Sequence, residues 1–365
     1  GATGSQGATG SQGAQGNPGP LVGSANQIIY KDALNVATGS ANLTWDGIRI
    51  SHGVGSGNFF GVSGGNSSLT GQRNIVVGTN AGTSLTSGID NIFLGLCTGN
   101  VNTSGSGNII MGCCAGYFNT GSCNIFLGVL SGYRNTGATD NIFLGTCSGC
   151  GNVTANLTGS YNVGLGFNAG KNICSGSDNI TIGRGSGLGI TGSSRNIFLG
   201  YYAGCASGTG LCNIAIGSQA GYYSTSGSCN VFIGAYAGCS NSLSGNNGGN
   251  NVIIGTSAGK NLCNAFGTVL IGHCAGFNIS CGHSNTFVGR YSGRSITTTI
   301  QNAFFGWSAG ECSTGAQSTF VGAYAGRSAT TPSCNTAFGF FALGGATTTG
   351  GANTAIGPYA ACSMT

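Results

Sequence analysis

Asn91-Ile92-Phe93-Leu94-Gly95-Leu96-Cys97-Thr98-Gly99 is the stretch on which the reading of the whole chain turns. Its first five residues recur as Asn124-Ile-Phe-Leu-Gly128, Asn141-Ile-Phe-Leu-Gly145 and Asn196-Ile-Phe-Leu-Gly200, and looser copies begin at seventeen places from Asn74 to Asn353. The step between copies is 16 to 18 residues, except for two steps of 21 that end at Asn162 and Asn251. Self-similarity at such a period marks a chain of stacked units, none of which can bury its apolar face alone.

Aligned as columns, the copies have Asn at position 1, save for Thr268 and Ser318, and Gly at position 5 in all seventeen. Position 9 is Gly save for Leu343 and Ala361. Glycine held so strictly in phase marks a backbone with positive φ or close approach of another segment. Stacked Asn side chains can hydrogen-bond from unit to unit. The expected fold is all-β: a β-solenoid of about 17-residue rungs, with Asn91, Gly95, Asn141, Gly145, Asn196 and Gly200 among its structural ladder. With a spacing of about 4.8 Å per rung the rod would be on the order of 80 Å long. The two long steps add polar residues and read as loops on one face.

Positions 2 to 4 form a short strand whose side chains alternate between faces. Positions 2 and 4, as in Ile92 and Leu94, Ile142 and Leu144, or Ile214 and Ile216, are expected to point into the coil. Position 3 would then face outward, yet it is Phe at Phe93, Phe126, Phe143, Phe198, Phe232, Phe287, Phe304 and Phe320. A strand apolar on both faces is normally buried on both. The Phe column is therefore expected to be a trimer interface; the competing reading is a monomeric coil whose Phe column is exposed or lies inside a wider coil.

The trimer has a second, independent source. Glycine stands at every third position from Gly1 to Gly19, giving seven Gly-X-Y triplets, and only glycine fits the axis where three polyproline-II chains meet. The competing reading is a flexible linker. The division expected is a collagen-like stalk at 1–21, a neck or cap at 22–57 with strands near Ile28-Ile29-Tyr30 and Ile48-Arg49-Ile50, and the solenoid at 58–365. The start at Gly1, without a methionine or signal-like segment, reads as a processed or truncated form. No cap is evident at the other end, where a following subunit of a filament is one way to cover the last rung.

Composition narrows the function. The 365 residues include 74 Gly, 5% charged and 40% hydrophobic residues, enough apolar material to bury a core. The net charge of +5 is scattered, without the basic cluster of a nucleic-acid binder. No apolar run approaches a membrane span. The chain has one Glu, Glu311, and its Asp residues are dispersed; Asp90, Asp140 and Asp178 each precede a repeat Asn and read as turn residues. No paired carboxylates or nucleophile–base set stands out, so neither enzyme activity nor a cofactor is expected.

Seventeen cysteines fall in preferred columns: position 7 (Cys97, Cys114, Cys147, Cys274), the position before Asn (Cys123, Cys212, Cys229, Cys334) and position 10 (Cys150, Cys205, Cys239, Cys362). Neighbours in one column should have Cα atoms about 4.8 Å apart, within disulfide range. Cys97 with Cys114 and Cys212 with Cys229 are thus candidate disulfides, and an odd total leaves a thiol free or bonded to another chain. Buried free thiols acting as apolar packers are a second reading. A metal at Cys147 and Cys150 or at Cys113-Cys114 is a third, weakened because His52, His273 and His283 are not spaced to join them.

The unit Asn213-Ile-Ala-Ile-Gly217-Ser-Gln-Ala-Gly221, with Asn353-Thr-Ala-Ile-Gly357, resembles the head repeats of trimeric autotransporter adhesins and related viral and phage fibre repeats, over roughly residues 58 to 365. The opening triplets resemble the collagen-like stalks of bacterial, spore-surface and giant-virus fibres. These resemblances imply homotrimers projecting from a surface; the repeat here is longer than the adhesin unit and richer in cysteine. The expected role is a structural subunit of an extracellular homotrimeric fibre or filament on a cell, spore or virion surface. An adhesin head is the alternative, with Tyr201-Tyr202, Tyr222-Tyr223 or the long steps contacting a host glycan or receptor. A threonine column (Thr86, Thr103, Thr120, Thr136, Thr191, Thr225) raises an ice-binding face, but no second regular column accompanies it.

Overall fold

The computed structural model describes residues 64–66, 68–151, 156–206, 208–240, 248–329, 333–345 and 351–363, together with the backbone of five short strands between 29 and 61. The triplet segment 1–21 lies outside the described residues. From residue 64 onward the chain is a parallel β-solenoid, with one three-residue strand per turn and no helix among the described residues.

Seventeen strands, from Ile75–Val77 to Thr354–Ile356, pair in sequence order, each parallel to the next. Register never slips: Ile92 lies on Ile109 and Phe93 on Ile110, and across the two long steps Ile142 lies on Val163 and Val231 on Val252. The segments 152–155 and 241–247 within these steps, expected as loops on one face, lie outside the described residues. At the other end, Phe59–Gly61 pairs parallel with Ile75–Val77, and Ile48–His52 pairs antiparallel with Phe59–Gly61. Further antiparallel pairs join Leu43–Trp45 to Ile48–His52 and Ile29–Lys31 to Ala37–Gly39.

The core reverses the expected facing of the strand. Phe93, Phe126, Phe143, Phe198, Phe232, Phe287, Phe304 and Phe320 are at most 1% exposed, inside a single chain, so these rings do not form a boundary between subunits. Positions 2 and 4, expected inward, point out: Ile180 is 36% and Ile182 37% exposed. The cause lies at position 1. Its Asn is buried because its amide bonds to both its own turn and the next rung, and a period of two then puts position 3 on the same, inner side.

The interior is filled by positions 3 and 12 together, as in Ile253 with Leu262 and Leu270 with Ile279. Where position 3 is Phe, position 12 tends to be small or polar, as in Phe93 with Asn102 and Phe320 with Ala329; where position 3 is Gly164 or Thr181, position 12 is Ile173 or Ile190. Successive rings stack at rung spacing, with centroids 4.8 Å apart for Phe287–Phe304 and 4.7 Å for Phe304–Phe320.

Two glycine columns make this coil possible. Gly95 has φ +132°, which residues with a side chain rarely adopt, and a Cβ there would lie 2.9 Å from the Gly112 carbonyl oxygen of the next rung. Gly99 has φ +54°, and its Cβ would stand 2.9 Å from the Phe93 ring. The first glycine lets rungs approach; the second lets the ring seal the turn.

Candidate functional surface

The Asn column holds the rungs together. Asn91 donates through its backbone N–H and its Nδ2 to Asn74 Oδ1, both at 3.0 Å, and Nδ2 also donates to the Gly105 carbonyl at 2.9 Å. Asn141 N–H donates to Asn124 Oδ1 at 3.0 Å, and Asn196 N–H to Asn179 Oδ1 at 3.0 Å. Ser318 continues the ladder with its hydroxyl, which accepts from Asn335 N–H at 3.2 Å. A second, shorter Asn series at position 12 was not anticipated: Asn135 Nδ2 donates to Asn119 Oδ1 at 2.8 Å. Its signal is the in-phase repeat of Asn102, Asn119 and Asn135 in the sequence.

The outside carries what remains. Position 2 runs as Ile or Val from Ile75 to Val269, then as Thr or Ala from Thr286 to Thr354. Position 4 is aliphatic, Met or Phe throughout, and neither column contains a charged residue. Together they form a long apolar face on the outer side of the sheet. Exposed contiguous apolar area of more than a few hundred Å² is rare on monomeric soluble proteins.

Beside this face, at the corner formed by positions 6 and 7, the last rungs carry an aromatic ridge. Ring centroids lie 4.9 Å apart for Trp307–Tyr324 and 5.3 Å for Phe340–Tyr359, and Trp307 is 49% exposed. Arg327 lies over the Tyr324 ring and Arg290 and Arg294 over Tyr291. Glu311 bridges Arg294 at 3.8 Å and Arg327 at 3.1 Å. The expected tyrosines, Tyr201-Tyr202 and Tyr222-Tyr223, form a smaller cluster, packed edge to face within each pair at 4.5 and 4.6 Å.

The threonine column is largely exposed, and hydroxyls in it bond from rung to rung within the chain. Thr70 Oγ1 donates to the Thr86 carbonyl and Thr86 Oγ1 to the Thr103 carbonyl, both at 3.0 Å. These hydroxyls serve rung stacking.

All seventeen cysteines are free thiols, so neither the Cys97–Cys114 nor the Cys212–Cys229 staple is formed. Stacking explains this. Residues in one column have parallel Cα–Cβ bonds, which keeps their Cβ atoms near the rung spacing of about 4.8 Å. A disulfide wants Cβ atoms about 3.8 Å apart. Both columns occupy left-handed corners, with φ 53° at Cys97 and 58° at Cys212. The Asp residues expected at turns occupy such corners as well, with φ 60° at Asp90 and 58° at Asp140 and Asp178. Burial pushes the Cys114 thiol up to about 11, with its neighbours Cys113 and Cys97 adding to the effect. Burial likewise raises the Cys150, Cys205 and Cys239 thiols at position 10, which pack as small apolar groups. Among the described residues, no three His, Cys, Asp or Glu side chains converge as metal ligands, and no helix is long and apolar enough to cross a membrane. No protein-family model, no curated protein and no solved structure matches this chain, and its outer columns are therefore read from their own chemistry.

Proposed function

We propose that the chain is the structural subunit of an extracellular homotrimeric fibre, in which the outward columns at positions 2 and 4 pack between subunits. The observation that carries this reading is the charge-free apolar face on the outside of a coil whose inside is already filled by position 3. The Phe column is covered within one chain, so the columns on either side of it are the ones that call for a second surface. The triplets from Gly1 to Gly19 supply the number three, and rungs joined end to end would extend the trimer into a filament.

The test is the solution mass of the intact chain by light scattering, beside that of an Ile180→Lys/Ile182→Lys variant. Three times 35.8 kDa for the parent, falling to one chain in the variant with the far-UV spectrum unchanged, is the expected result. A monomeric parent would overturn it.

A second reading, an adhesin head for a glycan or protein receptor, is favoured by the exposed ridge of Trp307, Phe340 and Tyr359 with its arginines. Loss of surface binding in Trp307→Ala/Phe340→Ala, with the oligomer intact, would support it.

A further inference from the structure

The two 21-residue steps are followed by the same sequence module, Ala169-Gly-Lys171-Asn-Ile-Cys174 after the first and Ala258-Gly-Lys260-Asn-Leu-Cys263 after the second. Each places a lysine 21 residues beyond a buried position-10 cysteine, Cys150 or Cys239. The backbone is equivalent at both. Arg134 N–H donates to the Cys150 carbonyl and Tyr223 N–H to the Cys239 carbonyl, each at 3.2 Å; Asn172 N–H donates to Leu188 and Asn261 N–H to Phe277, at 3.2 and 3.0 Å.

The side chains differ, and the difference opens a space. At the second module Lys260 is held by two rings, with its Nζ 5.2 Å from the Tyr236 centroid and 5.7 Å from that of Phe277. At the first module the corresponding residues are Cys147 and Leu188. An open hollow of about 700 Å³ lies there, walled by Leu130, Leu188 and Tyr133 and flanked by Lys171 and Arg134. Among the described residues, neither cation forms an ion pair and no carboxylate lines the hollow. Arg134 touches one ring, that of Phe118 at 5.7 Å.

We propose that this hollow binds an aromatic carboxylate, whose ring occupies the place that Tyr236 and Phe277 fill at the second module and whose carboxylate pairs with Lys171 and Arg134. Two cations at the rim of a largely apolar wall select an anion with an apolar body, and Arg offers a carboxylate two parallel hydrogen bonds. The second module is the closed version of the same design, with the ring supplied by the chain itself.

The test is calorimetric titration of the intact chain with 3-phenylpropionate, and with its neutral amide as the comparison. Saturable binding of one ligand per chain, weakened about tenfold or more for the amide and in Lys171→Gln/Arg134→Gln, is expected from loss of the charge-assisted bonds. The Cys147→Tyr/Leu188→Phe variant, which copies the second module into the first, should lose binding while keeping its far-UV spectrum. A measurement on the unmodified protein stands apart from any folding defect: the ligand should slow alkylation of Cys147 several-fold and leave exposed Cys229 unchanged. No saturable binding, equal affinity for the amide, undiminished binding in the filled variant, or equal protection of both thiols would overturn the proposal.

Discussion

The rungs from Asn74 to Ser284 and those from Asn285 to Ser363 share one interior and differ outside. In both, position 1 is a ladder residue, buried in every rung but the last, position 3 is the core and position 5 is a glycine at a corner. In the first region the outer strand face is Ile and Val at position 2 and the position-7 corner is often Cys. In the second region position 2 turns to Thr286, Ala303, Thr319, Thr336 and Thr354, and the apolar weight moves to Phe305 and Phe338 and to the Trp307–Tyr359 ridge. Interior columns are constrained by stacking on both neighbours, whereas outer columns answer only to what covers them. The change of outer chemistry at an unchanged interior therefore marks two different surfaces on one rod: an aliphatic face, which the proposed function assigns to self-packing, and an aromatic edge with arginines.

The largest test of the shared interior is Phe304→Ala. Its ring lies between Phe287 and Phe320, so truncation removes both stacks and leaves a cavity; a loss of about 3–5 kcal/mol in urea unfolding is expected. If the Phe column belonged to a subunit interface, the variant would instead change mass at nearly constant chain stability. Next comes the ladder. Asn141→Ala removes the acceptor for Asn162 N–H and the donor to the Gly159 carbonyl, both buried, and should cost about 1–3 kcal/mol. In the second region the ladder already passes through a hydroxyl at Ser318, and Ser318→Asn should raise the melting temperature.

A smaller effect distinguishes the outer faces. Ile180→Lys/Ile182→Lys and Thr319→Lys/Thr336→Lys replace outward side chains, and each single change should alter the stability of the isolated coil by about 0.5 kcal/mol or less. Only the first pair should dissociate the proposed trimer, as read by light scattering. Equal dissociation by both would erase the distinction between the two regions.

Much of this was legible in the sequence. The period, the ladder and the corners could be read because each depends on a residue type that few others replace: Gly95 with its close neighbouring rung, Asn91 with the three bonds it donates. Period two in Ile92-Phe93-Leu94 gives the alternation but not its sign. That sign is carried by Asn91, since an amide bonding both its own turn and the next rung must lie inside, and Phe93 follows two residues later on the same side. The thiol pairing failed for a related reason: Cα spacing alone ignores that stacked Cβ atoms point in parallel. The hollow was illegible because it arises from differences between two copies of one module, at residues as far apart as Arg134 and Leu188.

The smallest prediction concerns charge, and it too sets one region against the other. Arg73 and Asp90 join the first two rungs on the surface, with Arg73 Nε donating to Asp90 Oδ1 at 2.6 Å. The hydrogen bond from Arg73 holds the Asp90 carboxyl below its ordinary value, so its contribution is present above the unfolded carboxylate pKa of about 3.9 and fades as pH falls through the lower folded value. Glu311 is largely enclosed between Arg294 and Arg327, whose own side chains are 48% and 44% exposed. Solvent screening of those arginines limits Glu311→Gln to about 1 kcal/mol. Asp90→Asn should lower the melting temperature at neutral pH only slightly in moderate salt, because an exposed pair contributes little. Its partner change, Arg73→Ala, should be visible as a rise in the Asp90 titration midpoint by NMR. A drop in that midpoint would mean that the bridge between the first rungs is not what holds Asp90 ionised.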